Sequence, residues 1–264
     1  MANAATNAYP LGTMTRITAV VLTLVLCAAT AARADEVTLI APGGIRMAIE
    51  KLIPQFEQKT GHTVKPTFGS GGGTRQQVVN GERFDLPIVQ PPLADVLNSG
   101  HVDPKSRRLL ASVPVAIAVR KGQPHPDIST PALLKQTLLA AKSIAYPDPA
   151  GGAAAGVSFD QALRTMGIAT EVESKLHRSR GGAAAMEALA KGEVEIGVTF
   201  MSEMNEPGIE IVAPLPRRVS PPTQLLGFVS TGATSPAAAR ALLAFLASPA
   251  AAAAYRSSGM QAGR

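Results

Sequence analysis

Four glycine clusters, Gly43-Gly44, Gly69 to Gly73, Gly151 to Gly156 and Gly181-Gly182, each stand just ahead of a stretch whose apolar residues recur at helical spacing. A chain punctuated this way reads as a repeat of strand, glycine turn and helix. A glycine turn that opens a helix leaves backbone N–H groups unpaired at the positive end of the helix dipole, where an anion can lie against them. One such cluster is ordinary loop punctuation. Four ahead of four helices can enclose one small anion.

The first unit is the apolar run Val37 to Ala41, the turn, and a helix on Ile45, Ala48, Ile49, Leu52, Ile53 and Phe56 that Gly61 stops. The second is a strand from Val64 to Phe68, the turn, and a helix over Thr74 to Asn80. Phe84 to Val89 reads as a third strand and Pro114 to Arg120 as the strongest strand of the middle region; the breakers Gly122, Pro124 and Pro126 follow it. Beyond them come a helix from Pro131 to Ala141 capped by Ser129-Thr130, a strand from Ser143 to Tyr146 and the third glycine cluster with its helix. A helix from Ala183 to Ala190 and a strand from Val194 to Phe200 follow. Gln224 to Ser230 is a late strand returning to the first half, and Ser235-Pro236 caps a C-terminal helix broken near Ser248-Pro249. Alternating strands and helices with short links predict an α/β protein of two lobes, each a mostly parallel sheet flanked by helices. Lobe 1 is expected to comprise residues 35–117 and 224–264 and lobe 2 residues 118–223, with the ligand cleft between them at the carboxyl ends of the strands.

Residues 15 to 34 carry Arg16, the apolar run Ala19 to Leu26 and the small-residue site Ala32-Arg33-Ala34. Residues 1–34 therefore read as a cleavable secretory signal, with Met14 an alternative start, and the remainder as an exported, periplasmic protein. The single cysteine, Cys27, falls inside that segment, so the exported chain has neither disulfide nor thiolate chemistry. Removing Arg16 and Arg33 lowers the basic count from 25 to 23 against 19 acids, and the formal charge from +6 to +4. That mild bias favours anionic ligands, but the basic residues are scattered and no nucleic-acid partner is expected. His62, His101, His125 and His177 lie far apart, and no phosphate-loop, dinucleotide or nucleophile-elbow motif occurs. No enzyme activity, metal or cofactor is expected from the residues.

In its ordered fragments the chain resembles the periplasmic type II solute-binding proteins of ABC importers, closest to the molybdate-binding branch. The fragments are Pro54-Gln55-Phe56-Glu57-Gln58-Lys59-Thr60-Gly61, Phe68-Gly69-Ser70-Gly71 with Gln76-Gln77-Val78, Gly81 with Phe84-Asp85-Leu86, Asp148-Pro149, Gly192-Glu193 with Ile196-Gly197-Val198, and Phe245 to Ser248. The resemblance implies a monomer that captures a small anion of the molybdate or tungstate type and delivers it to an inner-membrane permease with its ATPase. A small organic carboxylate as ligand, or a sensing role, stays open. Two serine hydroxyls and a tyrosine hydroxyl that hold the oxyanion in that branch align with Gly44, Gly71 and Phe200, so none is kept. Arg46, Arg75 and Arg180 stand beside glycine turns instead, and a guanidinium fork suits a carboxylate or phosphate. The expected ligand-binding set is Gly43, Gly44, Ser70, Gly71, Gly72, Thr74, Arg75, Ala155, Gly156, Arg180, Gly182 and Phe200, with Arg75 foremost among the arginines.

Overall fold

The computed structural model describes residues 34–263, together with 1, 2 and 4. Of the signal segment read over residues 1–34, residues 3 and 5–33 lie outside the described residues. The chain begins with β1 (Glu36–Pro42), α1 (Arg46–Thr60), β2 (Thr63–Gly69), α2 (Gly71–Val79), β3 (Leu86–Val89), α3 (Ala94–Asn98) and β4 (Arg108–Val113). It continues through β5 (Val115–Arg120), α4 (Pro131–Ala140), β6 (Ile144–Pro147), α5 (Ala154–Thr165), α6 (Ala169–Val172), β7 (Leu176–Ser179), α7 (Gly182–Lys191), β8 (Ile196–Phe200) and β9 (Ile209–Pro214). It closes with β10 (Thr223–Gly227), α8 (Pro236–Leu246), α9 (Ala252–Ser257) and β11 (Gln261–Ala262).

These strands form two sheets, in the order β11-β4-β10-β3-β1-β2 and β7-β6-β8-β5-β9. Both are mixed, which corrects the expectation of mostly parallel sheets. In the first, β1 runs parallel to β2 and β3, while β10 runs antiparallel to β3 and β4. In the second, β6 is parallel to β7 and β8, and β5 is antiparallel to β8 and β9. β5 and β10, each antiparallel to both of its neighbours, are the first strands after the crossings between sheets, where the chain arrives from the other half rather than through a helical crossover. The first crossing comes at Pro114, between β4 and β5, three residues before the expected boundary.

Central strands covered on both faces read as continuous apolar runs, and β1 shows why. Val37, Leu39 and Ala41 pack with Ile49, Leu52 and Phe56 of α1 and Leu242 of α8; Ile40 faces the other way, toward Val78 of α2 and Val96 of α3. In the second sheet Ile117 and Val198 join the layer containing Phe159 and Leu163 of α5, and Ala116 and Ala118 join Ala185, Met186 and Leu189 of α7. Small residues on that second face let α7 sit close to the strands.

One distant side chain ties the first sheet together. Asp85, 2% exposed just before β3, accepts from the Thr38 N–H (2.8 Å) and hydroxyl (2.7 Å) on β1 with Oδ2. Its Oδ1 accepts from the N–H groups of Thr234 and Ser235 at the head of α8. Ser235 makes no side-chain cap of its own, so the cap expected from Ser235-Pro236 is supplied by Asp85. Burial raises the Asp85 pKa, but these hydrogen bonds outweigh it and leave the carboxyl below the ordinary aspartate value.

Candidate functional site

The turns after β1, β2, β6 and β7 meet in one cleft of about 440 Å³ between the sheets. From the first sheet come Gly43, Gly44, Ser70, Gly71 and Gln90; from the second come Asp148, Ala155, Arg180, Gly182, Phe200 and Glu203. Ser70 is the N-cap of α2, its Oγ accepting from the Gly73 N–H at 3.0 Å. The run Gly71 to Gly73 is therefore the first turn of α2 rather than a loop before it, and the helix begins three residues earlier than its apolar spacing suggests. Gly71 has a packing reason: a Cβ there would overlap Oε1 of Gln90, so only glycine lets that carboxamide lie against the helix start.

Two hydrogen bonds join the walls. The Gly72 N–H donates to the Gly152 carbonyl at 2.9 Å, and the Ser202 hydroxyl donates to the Gly44 carbonyl at 2.6 Å. The Phe200 ring, 3% exposed, fills the space over Gly44, where a Cβ would stand 2.9 Å from Cδ2. The three positions that carry hydroxyls in the molybdate-binding branch thus present two bare backbones and an apolar ring.

Eight of the expected residues line the cleft: Gly43, Gly44, Ser70, Gly71, Ala155, Arg180, Gly182 and Phe200. Four do not. Gly72 uses its N–H in the contact to Gly152. Thr74 is fully buried behind Gly69, and its hydroxyl has no partner among the described residues. Arg75 stands four residues beyond Gly71, about 6 Å further along the helix axis, and Arg180 is the arginine in the wall. Gly156 lies beneath the Pro147 carbonyl, which a Cβ would overlap, so this glycine lets α5 pack on the end of β6. Arg46 stacks on the Phe68 ring at 4.7 Å, outside the lining.

Gln90 and Glu203 were not singled out from the sequence. Gln90 directly follows the carboxyl end of β3, and Glu203 lies three residues past the end of β8, the places where α/β sheets position ligand groups. Glu203 is half-buried, with Oε2 accepting from the Thr199 hydroxyl at 2.6 Å. Its carboxyl sits between the turns of the two walls. A Cβ on Gly182 would overlap Oε2, and one on Gly43 would stand 3.6 Å from Oε1. Burial pushes the Glu203 pKa above the ordinary glutamate value, and the Thr199 hydrogen bond offsets only part of that rise. Chemically, the cleft offers backbone donors at helix starts, the Arg180 guanidinium and two carboxyls, Asp148 and Glu203, of which burial makes Glu203 the weaker acid. Among the described residues no cluster of three or more His, Cys, Asp or Glu could hold a metal ion.

Comparison with known proteins follows the same lines. Residues 37–261 match the family model described as bacterial extracellular solute-binding protein. An aconitate isomerase from Pseudomonas sp. is 33% identical over 232 residues, covering 85% of this chain and 87% of that protein. The molybdate-binding protein ModA of Azotobacter vinelandii is 29% identical over 185 residues, covering 68% of this chain and 70% of that protein. The solved structure of an Azotobacter vinelandii periplasmic molybdate-binding protein superposes with a TM-score of 0.71 at 19% identity, covering 86% of this chain and all of that one. The fold is thus the two-lobed type II periplasmic binding-protein fold. The expectation that the chain is no enzyme is overturned by its similarity to an isomerase across most of both lengths. That expectation rested on missing nucleophile, histidine and metal motifs, and a lone glutamate brought to a cleft by topology leaves no such motif.

Proposed function

Because the chain belongs to the bacterial extracellular solute-binding protein family, we propose that its cleft binds a small unsaturated polycarboxylate of the aconitate class and shifts a proton on it. The observation that carries this reading is Glu203, a carboxyl of raised pKa held between Gly43 and Gly182 inside the cleft. A site built only to hold an anion, inorganic or organic, is opposed by a carboxylate in its lining, because like charges repel. A site that moves a proton needs such a group.

The chemistry is a 1,3-shift. Glu203, ionised, takes a proton from the methylene carbon beside a carboxylate, and the double bond moves one carbon over. The new Glu203 carboxylic acid then returns a proton to the former vinyl carbon. Electrons and atoms balance within the substrate, and no cofactor is consumed. The negative charge that builds on the substrate carboxylate is met by Arg180, by the Gly71 N–H at the start of α2, whose next three N–H groups are already paired, and by N–H groups at the start of α7. The cleft volume of about 440 Å³ also falls in the range of small organic ligands. Gly44 and Phe200 replace hydroxyl donors with a close-packed apolar wall, which suits a carbon skeleton.

A second reading, capture of a molybdate-type oxyanion for delivery to an ABC permease after export through the signal read over residues 1–34, is favoured by the ModA relative. Incubating cis-aconitate with the purified protein and following the trans isomer by chromatography separates the two. Conversion by the wild type that is lost in Glu203→Gln supports the isomerase. No conversion, together with a calorimetric signal for molybdate alone, supports the oxyanion reading.

A further inference from the structure

Gln90 is 1% exposed and lines the cleft, yet neither Nε2 nor Oε1 has a hydrogen-bond partner among the described residues. Leaving a buried amide unpaired is costly, and such groups in native proteins usually have a use. The carboxamide packs against the first turn of α2. Oε1 lies against Gly71 at the start of α2, and Gly71 is small enough to let it. Gln90 stands on the first-sheet wall, while Arg180 and Glu203 belong to the second.

We propose that Gln90 is a specificity-determining residue that hydrogen-bonds one carboxylate of the ligand and so selects tricarboxylates over dicarboxylates. This rests on the polycarboxylate reading of the cleft. The argument is one of rank. A carboxylate is held most strongly by the guanidinium of Arg180 and next by the amides at a helix N-terminus, where charge or dipole assists the bond. A neutral carboxamide is the weakest of the three anchors, so a ligand with two carboxylates satisfies the stronger ones and leaves Gln90 idle. A third carboxylate engages it.

Binding of two saturated probes, propane-1,2,3-tricarboxylate and glutarate, tests this by calorimetry without any turnover. Gln90→Leu is expected to weaken the tricarboxylate at least tenfold, about 1.4 kcal/mol, while changing glutarate by less than twofold. Gln90→Glu places a carboxylate against a carboxylate and is expected to weaken the tricarboxylate a hundredfold or more. Melting of the ligand-free protein separates binding from packing. Because Gln90→Leu removes two buried atoms without partners, its melting temperature should equal or exceed that of the wild type. A leucine variant that binds both probes in the wild-type ratio overturns the inference and leaves the isomerase reading standing. A leucine variant that melts lower with that ratio unchanged likewise overturns it. A wild type that binds neither probe overturns both.

Discussion

The two walls of the cleft are made from the same local parts, a strand end, a glycine turn and a helix start, but they differ in charge. The first-sheet wall carries no ionisable side chain, only backbone, the Ser70 hydroxyl and the Gln90 carboxamide; the second carries Asp148, Arg180 and Glu203. Neutral donors position an anion without fixing its protonation state, whereas a carboxyl whose pKa burial raises can exchange a proton with it. Recognition on one side and proton transfer on the other is the division of labour this arrangement supports.

The comparison breaks first at Glu203. Glu203→Gln is expected to lower isomerisation about 10²- to 10⁴-fold, the usual worth of a general base, with substrate affinity changed only a few-fold. The same variant has a signed effect on stability. A glutamate whose folded pKa lies above its unfolded value takes up protons on folding, so its stabilising contribution is complete at low pH and is lost as pH rises through the folded pKa. Glu203→Gln should therefore melt higher than the wild type at pH 8, by a margin that shrinks toward pH 4. Equal margins at both pH values would argue against a raised Glu203 pKa.

Asp85→Asn tests the scaffold of the neutral wall without touching its chemistry. It sets an amide N–H₂ against backbone donors and should cost roughly 2–3 kcal/mol in denaturant unfolding at pH 7. The Asp85 carboxyl is held below its ordinary value, so its contribution is full above the unfolded aspartate pKa and is lost as pH falls through the folded one. The wild type and the variant should converge in acid. Arg180→Ala sharpens the contrast between walls. It should weaken carboxylate binding about tenfold through loss of a charge-assisted bond, whereas Arg75→Ala, outside the cleft, should change it no more than about twofold.

The fold was legible wherever the signal was local. β1 with α1, and α4 with its Thr130 cap, follow from apolar spacing and punctuation within a dozen residues, and the Thr130 hydroxyl does accept from the Leu133 N–H. β4 and β9 went unread because each takes its place through pairing with distant strands, and β9 is a half-buried edge. The start of α2 was misplaced because three glycines look like a loop until Ser70 caps them. The candidate site divides the same way. Glycine turns announce a place for an anion, but Glu203 and Gln90 reach it only through the order of strands in the two sheets. The cap on α8 comes from Asp85, 150 residues away.

The most direct test of the central claim is proton NMR of trans-aconitate with the wild-type protein in deuterated buffer. If Glu203 exchanges a proton with the substrate, the methylene signal should fade and the cis isomer should appear, and neither should happen with Glu203→Gln. A methylene signal that persists unchanged with the wild-type protein, or that fades equally with both proteins, would contradict the account.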